Sequence, residues 1–305
     1  MKNVVIFLIA LVLVLPGCGT KKAAESPFGE TAFAPGKKVN PSSSGQLLTI
    51  TLGVNDTYGK ETACACIGDL ACREYEELQQ ILKEKYNIDL QLTYFIEEYH
   101  LVDAMKEDRF DGALCKPWFA YMLVPEKGFQ FKRVVDLTDP FGNQWLKGCF
   151  QVSVDSPVKT MADVDGKVLV AGNTDSFEKY HAAMRLLEKE GIKPSRLYFK
   201  ASCMESVGEL MDGAAEVAVI SDYAMTASCI VDIASPDDFR TIGETERMPL
   251  CSVVLNMDKV SEADALRLQN ALLEISKTNL PEKVQGKGFV LPASWSPVPY
   301  HQSAP

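Results

Sequence analysis

The sequence is poor in histidine: His100, His181 and His301 are the only three in 305 residues. It also lacks the His-Glu-x-x-His, Gly-x-Ser-x-Gly and Gly-x4-Gly-Lys-Ser/Thr patterns. There is therefore no zinc-hydrolase helix, no nucleophile elbow and no phosphate-cradling loop to build a reaction on. Carboxylates are plentiful, yet no pair stands out as acid and base. The chain reads as a binding protein, not an enzyme, with no cofactor. Positive charge is scarce as well, with 31 Lys and Arg against 41 Asp and Glu and a net charge of −10. Nucleic acid wants a basic stripe, so it is excluded as a partner. No apolar run reaches the roughly 20 residues a membrane-spanning helix needs, and no internal repeat is visible.

The one long apolar run, Val4 to Leu15, follows Lys2 and leads into Leu15-Pro16-Gly17-Cys18. A basic start, a short apolar centre and a small residue before the cut mark a secretory signal over residues 1–17. Leu-x-Gly-Cys resembles the bacterial lipoprotein cleavage site, which implies a lipid anchor at Cys18. The alternative is an ordinary secretory signal followed by a chance cysteine. The lipid reading places the protein in the bacterial cell envelope, tethered outside the cytoplasm on a periplasmic or outer membrane face. Cutting after Gly17 removes Lys2 and takes the net charge from −10 to −11. Residues 18–46 are rich in Ser, Gly, Pro and Lys and read as a flexible stalk. The roughly 240 residues that follow suffice for two α/β domains or one large one.

With Cys18 lipidated, eight cysteines remain: Cys64, Cys66, Cys72, Cys115, Cys149, Cys203, Cys229 and Cys251. An even number in an exported chain is compatible with disulfides. Eight allow about 105 pairings, so none is assigned. Cys64-x-Cys66-x5-Cys72 is the one dense cluster. It fits disulfides or buried thiols, or a soft-metal site for Cu(I) or Zn(II). Its spacing matches no strong zinc pattern.

Periodicity sorts the rest into alternating elements. Strands are expected over 47–53, 89–95, 110–115, 131–137, 148–154, 167–171, 197–200, 216–221, 240–244 and 250–255. Helices are expected over 74–86, 99–106, from Lys116-Pro117, 176–190, 205–212, from Asp222, and 261–278, with Leu268 off the apolar face of the last. This grammar means α/β with largely parallel sheets. Two units are expected: 47–150 with 248–291, and 151–247, followed by a C-terminal tail over 292–305. The chain then crosses between domains twice, as in a hinged binding protein. Ligands in such folds lie at strand carboxyl ends, against helix N-termini.

Phe110-Asp-Gly-Ala-Leu-Cys-Lys-Pro-Trp-Phe-Ala-Tyr121 resembles the strand-to-helix segment of the phosphonate- and phosphite-binding proteins of ABC importers. Met161-Ala-Asp-Val-Asp-Gly-Lys-Val-Leu-Val-Ala-Gly172 is similar to the start of their second domain, and Ala215-Glu-Val-Ala-Val-Ile-Ser-Asp-Tyr223 to their following strand and cleft turn. The resemblance covers about Leu47 to Ile275 and rests on an order of segments, not on one diagnostic motif. It implies a two-domain periplasmic-binding-protein fold (type 2) with a hinge and an inter-domain ligand cleft. It also implies a monomer that captures a small solute for an ABC permease. In that family a Ser-Thr-Ser-Gly-like run holds the phosphonate. The matching run here is Gly172-Asn173-Thr174-Asp175-Ser176-Phe177-Glu178, and Cys203 lies nearest the family's next histidine. The solute is thus a phosphonate, another oxyanion or something unrelated.

The candidate ligand residues are Asn55, Tyr58, Lys116, Asn173, Thr174, Asp175, Ser176, Ser221, Asp222 and Tyr223. Asn55 and Tyr58 follow the first strand. Lys116 closes another, where an ammonium can meet an anion; the plain alternative is a solvated surface lysine. Thr174 and Ser176 offer hydroxyls, or are simply turn residues. Asp175 with Glu178 has the spacing of an N-cap and its capping-box partner. If Asp175 faces the cleft instead, it favours a cationic or zwitterionic part of the ligand. Asp222 and Tyr223 begin a helix after a strand, where a cap is the alternative for Asp222. Trp118, Phe119 and Tyr121 divide between core and cleft, Tyr180 shares a core face with Phe177, Met184 and Leu187, and His181 is a ligand or a helix-surface residue. A second functional reading is a metal-handling or redox lipoprotein using Cys64, Cys66 and Cys72 on the same scaffold, and a third is a binding domain that signals to a membrane partner.

Overall fold

Two mixed sheets carry the chain, and the polypeptide passes between them twice. The computed structural model describes residues 46–63, 67, 70–298 and 300, without the side chains of 124–127 and 229. The signal, most of the stalk, Cys18, Cys64 and Cys66 lie outside the described residues. The elements are β1 (Leu48–Asn55), α1 (Glu76–Tyr86), β2 (Ile88–Tyr94), α2 (Glu98–Lys106), β3 (Gly112–Cys115), α3 (Pro117–Lys127), β4 (Phe131–Leu137), β5 (Trp145–Leu146) and β6 (Gly148–Ser153). There follow β7 (Val168–Gly172), a π turn over Phe177–His181 running into α4 (Ala182–Glu190), β8 (Arg196–Lys200), α5 (Cys203–Met211) and β9 (Val217–Ser221). The last are α6 (Ser228–Val231), β10 (Phe239–Glu244), β11 (Met248–Pro249), β12 (Cys251–Asn256), α7 (Glu262–Thr278) and β13 (Phe289–Val290).

The first sheet has the order β13-β4-β12-β3-β1-β2 and the second β10-β6-β9-β7-β8. Neither is largely parallel, which corrects the expectation from sequence. β1 pairs parallel with β2 and β3, and β7 with β8 and β9, but β12 runs antiparallel to β3 and β4, and β6 to β9 and β10. The reason is connectivity. β6 and β12 each follow a crossing from the other sheet and enter against the direction of their new neighbours. The crossings run side by side and pair as the short antiparallel ladder β5–β11, with Leu146 opposite Met248.

Strands buried on both faces are continuous apolar runs, not alternating ones. β9, Val-Ala-Val-Ile-Ser, is buried at every position, and so are β3 and β12. α7 is capped by the Ser261 hydroxyl, which accepts from the Asp264 N–H at 3.1 Å. Its burial extends well beyond one stripe. Leu268, expected off-face, is fully buried, and Arg267 and Gln269 beside it donate to the carbonyls of Tyr86 and Val134. Helix α7 is therefore covered on more sides than a 3.6-residue stripe implies.

The start of the long helix also differs from expectation. His181 N–H reaches back to the Ser176 carbonyl, and Ala182 N–H to that of Phe177, which widens the first turn into a π turn. The extra residue shifts the helical phase. Phe177 joins the core of the first sheet, while Tyr180, Met184 and Leu187 stay in the core of the second. The expected single apolar face is thus split between two lobes. The chain after Leu291 is equally shared. Arg133 donates to the Ala293 carbonyl, Trp295 packs in the first core, and Tyr300 N–H donates to His181 Nδ1 at 3.1 Å.

Candidate functional site

Strand carboxyl ends from both sheets converge on one cleft. From the first sheet come Asn55 at the end of β1 and Lys116 just past β3. From the second come Asn173–Ser176 after β7 and Ser221–Tyr223 at the end of β9. Three adjoining cavities line the cleft. One, of about 310 Å³, is bounded by Glu97, Glu98, Lys116 and Trp118 on one side and by Asp175 and Glu178 on the other. A second, of about 210 Å³, shares Glu97, Glu98, Lys116 and Lys179 with it and adds Asn55 and Cys203. A third, of about 740 Å³, lies by the crossings and holds Tyr58, Lys147, Asp222, Tyr223 and Arg247.

The centre of the site is a buried ion pair between the lobes. Lys116 is 9% exposed, not a solvated surface lysine, and Glu178 is 1% exposed. Lys116 Nζ stands 3.7 Å from Glu178 Oε1 and 3.5 Å from Glu98 Oε1. Glu178 is held further by the Ser221 hydroxyl, donating at 2.9 Å, and by the Ser176 hydroxyl at 3.2 Å. Burial alone raises a carboxyl pKa. Here Lys116, Lys179, the residue's own backbone N–H and the Ser221 hydroxyl outweigh burial and pull Glu178 down to about 2. Burial alone lowers the pKa of Lys116, but Glu178 and then Glu98 hold it well above the ordinary lysine range. Both partners stay charged. The backbone is fitted closely to this arrangement. A Cβ on Gly148, the first residue of β6, would collide with the Glu178 carbonyl oxygen.

Asp175 does not form the expected cap with Glu178. The cap is Ser176, whose hydroxyl accepts from the Lys179 N–H at 3.3 Å. Asp175 is exposed and lines the 310 Å³ cavity, where burial and then Glu98 push its pKa up. Its backbone carbonyl takes the Trp118 indole N–H at 2.8 Å, a hydrogen bond between lobes. The Trp118 ring packs on Phe177 at 5.0 Å between centroids and on His181 at 4.7 Å. His181 accordingly belongs to the packing where the lobes meet.

Asn173 and Ser176 share the Asp175 cavity, while Thr174 is exposed and lines none of the three. Asn55 is buried and spends its amide on the Phe95 and Ile96 carbonyls. Tyr58 is 2% exposed and touches the crossing-side cavity. Ser221 is fully buried, lines no cavity of the three and donates its hydroxyl to Glu178. Asp222 caps no helix, because only the short turn Ala224–Thr226 follows and its cap position is Tyr223. Burial raises its pKa to about 6, helped by Glu178 and opposed by Lys147.

Sequence reasoning missed Glu97 and Glu98. They follow the carboxyl end of β2, so the rule that selected Asn55 and Lys116 applies to them too. Cys72, Cys115, Cys149, Cys203 and Cys251 are free thiols, so none of these five takes part in the expected disulfides. Cys115, Cys149, Cys203 and Cys251 are buried, while Cys72 is half-buried and accepts from the Gln285 amide at 2.7 Å. Among the described residues no group of His, Cys, Asp and Glu is arranged to hold a metal, and no helix is long and apolar enough to cross a membrane.

Residues 70–292 match the sequence profile of the family described as ABC transporter, phosphonate, periplasmic substrate-binding protein. No curated protein sequence matches the chain. Solved structures with the same fold include XAC2383 from Xanthomonas citri bound to ATP, at 16% identity and TM-score 0.60, covering 81% of this chain and 91% of that one. PhnD1 from Prochlorococcus marinus in complex with methylphosphonate is 10% identical at TM-score 0.56, covering 81% and 93%. The aliphatic sulphonate binding protein SsuA from Escherichia coli is 14% identical at TM-score 0.52, covering 75% and 72%.

Proposed function

Because the chain belongs to the phosphonate-type family of periplasmic substrate-binding proteins of ABC transporters, we propose that it captures a small solute in the cleft between its two lobes and delivers it to a membrane permease. The family places it outside the cytoplasm. The observation that carries the reading is the Lys116–Glu178 contact. It joins one lobe to the other at a cavity that both lobes line. Ligand groups reaching that cavity touch both walls at once, which is what stabilises a closed form over an open one. Asn55, Tyr58, Lys116, Asn173, Thr174, Asp175, Ser176, Ser221, Asp222 and Tyr223 form the working set, with Ser221 acting from behind Glu178. The division into 47–150 with 248–291 and 151–247 gives the two moving bodies, and the protein acts as a monomer without catalysis.

A lipid on Cys18 and a stalk over 18–46 would keep this trap near its permease at high effective concentration. Labelled palmitate should enter the wild type and not the Cys18→Ser variant. Titration calorimetry against phosphonates, phosphite, phosphate, sulfonates and amino acids, with small-angle scattering on any binder, tests the central claim. A solute that releases or absorbs heat and shrinks the radius of gyration supports it. Binding without any change in radius would argue against a two-lobed trap.

A further inference from the structure

The groups that would receive an anion are already occupied by a side chain of the protein. Three kinds of donor converge after β7: the buried ammonium of Lys116, the hydroxyls of Ser176 and Ser221, and the backbone N–H of Glu178 at the helix start. That combination is a ready anion seat. Glu178 fills it, 1% exposed and ionised, with its two carboxylate oxygens on the two serine hydroxyls. A phosphonate arriving there would meet a fixed negative charge and donors already in use. Like charges in a water-poor cleft repel strongly.

The charge left over in the adjoining cavity is acidic. Its wall carries the carboxylates of Glu97, Glu98, Asp175 and Glu178 against the ammonium groups of Lys116 and Lys179. Lys116 is engaged by Glu178 and Glu98. Asp175 and Glu97 remain exposed to the cavity, on opposite lobes. Trp118 and Phe119 supply apolar surface beside them. We infer that Glu178 is a built-in occupant of the anion seat and a specificity determinant of this cleft. It turns the cleft away from phosphonate-like anions and toward a solute held by a positively charged group, an ammonium or guanidinium. This rests on the proposed role of the cleft in capturing a solute, and names the solute's class.

Two probes separate the charges: methylphosphonate carries no cationic group and putrescine carries no anionic one. Calorimetry on the wild type should show binding of putrescine and none of methylphosphonate. Asp175→Asn, at an exposed position, should weaken putrescine by about tenfold. Glu178→Gln, which frees the seat, should gain at least about tenfold for methylphosphonate. Methylphosphonate bound by the wild type as tightly as putrescine, or no heat from putrescine, overturns the inference. So does a folded Glu178→Gln that gains nothing for methylphosphonate. If circular dichroism shows that Glu178→Gln does not fold, the wild-type and Asp175→Asn titrations decide alone. Binding of methylphosphonate removes only this inference. Absence of binding and of closure with every solute of the wider panel removes the solute-binding reading itself.

Discussion

Arg73 and Lys116 are both buried cations facing a buried carboxylate, and they are held in opposite ways. Arg73 lies wholly within the first lobe. Its guanidinium takes both oxygens of Asp56 at 3.0 and 2.8 Å and donates to the Thr138 and Val284 carbonyls, while the Tyr75 hydroxyl donates to Asp56 at 2.7 Å. Nη1 alone reaches both carboxylate oxygens while Nε and Nη2 take the two carbonyls, so all three nitrogens of the planar guanidinium are engaged at short range. Lys116 reaches its carboxylates only at 3.5 and 3.7 Å, beyond the usual 2.7–3.2 Å hydrogen-bond range, and its Glu178 partner belongs to the other lobe. One cluster pins segments together for good. The other is a loose contact across a cleft that has to open and close. The same pair of charges ties segments of one lobe together in the first case, and one lobe to the other in the second.

The sharpest way to break that contrast is Arg73→Ala. It leaves Asp56 without its cationic partner in a core where both side chains are fully buried. Losing one partner of such a pair costs about 3–5 kcal/mol. At roughly 2–4 °C per kcal/mol, the melting temperature should fall by about 6–20 °C. Calorimetric melts of the ligand-free protein check it. A fall of less than about 3 °C would mean that the Arg73 cluster is no more structural than the Lys116 contact.

The difference between the clusters also marks what the sequence disclosed. Strand carboxyl ends were legible from β-branched runs ending at polar residues, so Asn55, Lys116, Asn173 and Asp222 could be placed on one cleft. The Lys116–Glu178 contact was not, since it joins lobes and depends on how they meet. Nor was the π turn at Phe177–His181, because Phe177, Tyr180, Met184 and Leu187 keep an ordinary helical spacing in the sequence while the wide turn divides them between two cores. Asp175 and Ser176 are adjacent residues whose carboxylate and hydroxyl could each serve one cap, and only the fold of the loop chooses Ser176. Leu268 looked off-face because a periodicity argument assumes one buried stripe, whereas α7 is covered from several sides.

Glu178 and Asp222 extend the comparison to protonation. The Glu178 pKa falls from about 4.5 to about 2 on folding, so its contribution is present above pH 4.5 and is lost as pH drops through 2. Asp222 runs the other way. Its pKa rises to about 6, so its ionisation opposes folding at neutral pH, and that cost fades as pH falls from 6 toward 4. Each shift amounts to about 3 kcal/mol at the neutral end. In urea titrations Asp222→Asn should be more stable than the wild type at pH 7.5, with the gain gone at pH 4. Glu178→Gln should be less stable at pH 7.5, with the deficit shrinking only below pH 4.5. Parallel pH profiles for the two variants would mean that Asp222 is not a strained carboxylate of the crossing-side cavity and that the two ends of the cleft are electrostatically alike.

Trp118 gives the smallest and most specific test, because its indole N–H makes a single contact across the lobes. Trp118→Phe keeps an aromatic ring against Phe177 but removes the donor to the Asp175 carbonyl. One neutral hydrogen bond is worth about 1 kcal/mol net. That is too little to unfold either lobe, and the melting temperature should move by only a few degrees, roughly 2–4 °C. The same 1 kcal/mol acts on an open–closed equilibrium whose two states differ by a few kcal/mol, where it changes the ratio about fivefold. Small-angle scattering of the ligand-free variant should therefore show a larger radius of gyration than the wild type, while Arg73→Ala in the pinned cluster should lower the melting temperature with no larger radius below it. An unchanged radius in Trp118→Phe would place the closing energy elsewhere, in the Lys116–Glu178 pair or in the chain after Leu291 that touches both lobes.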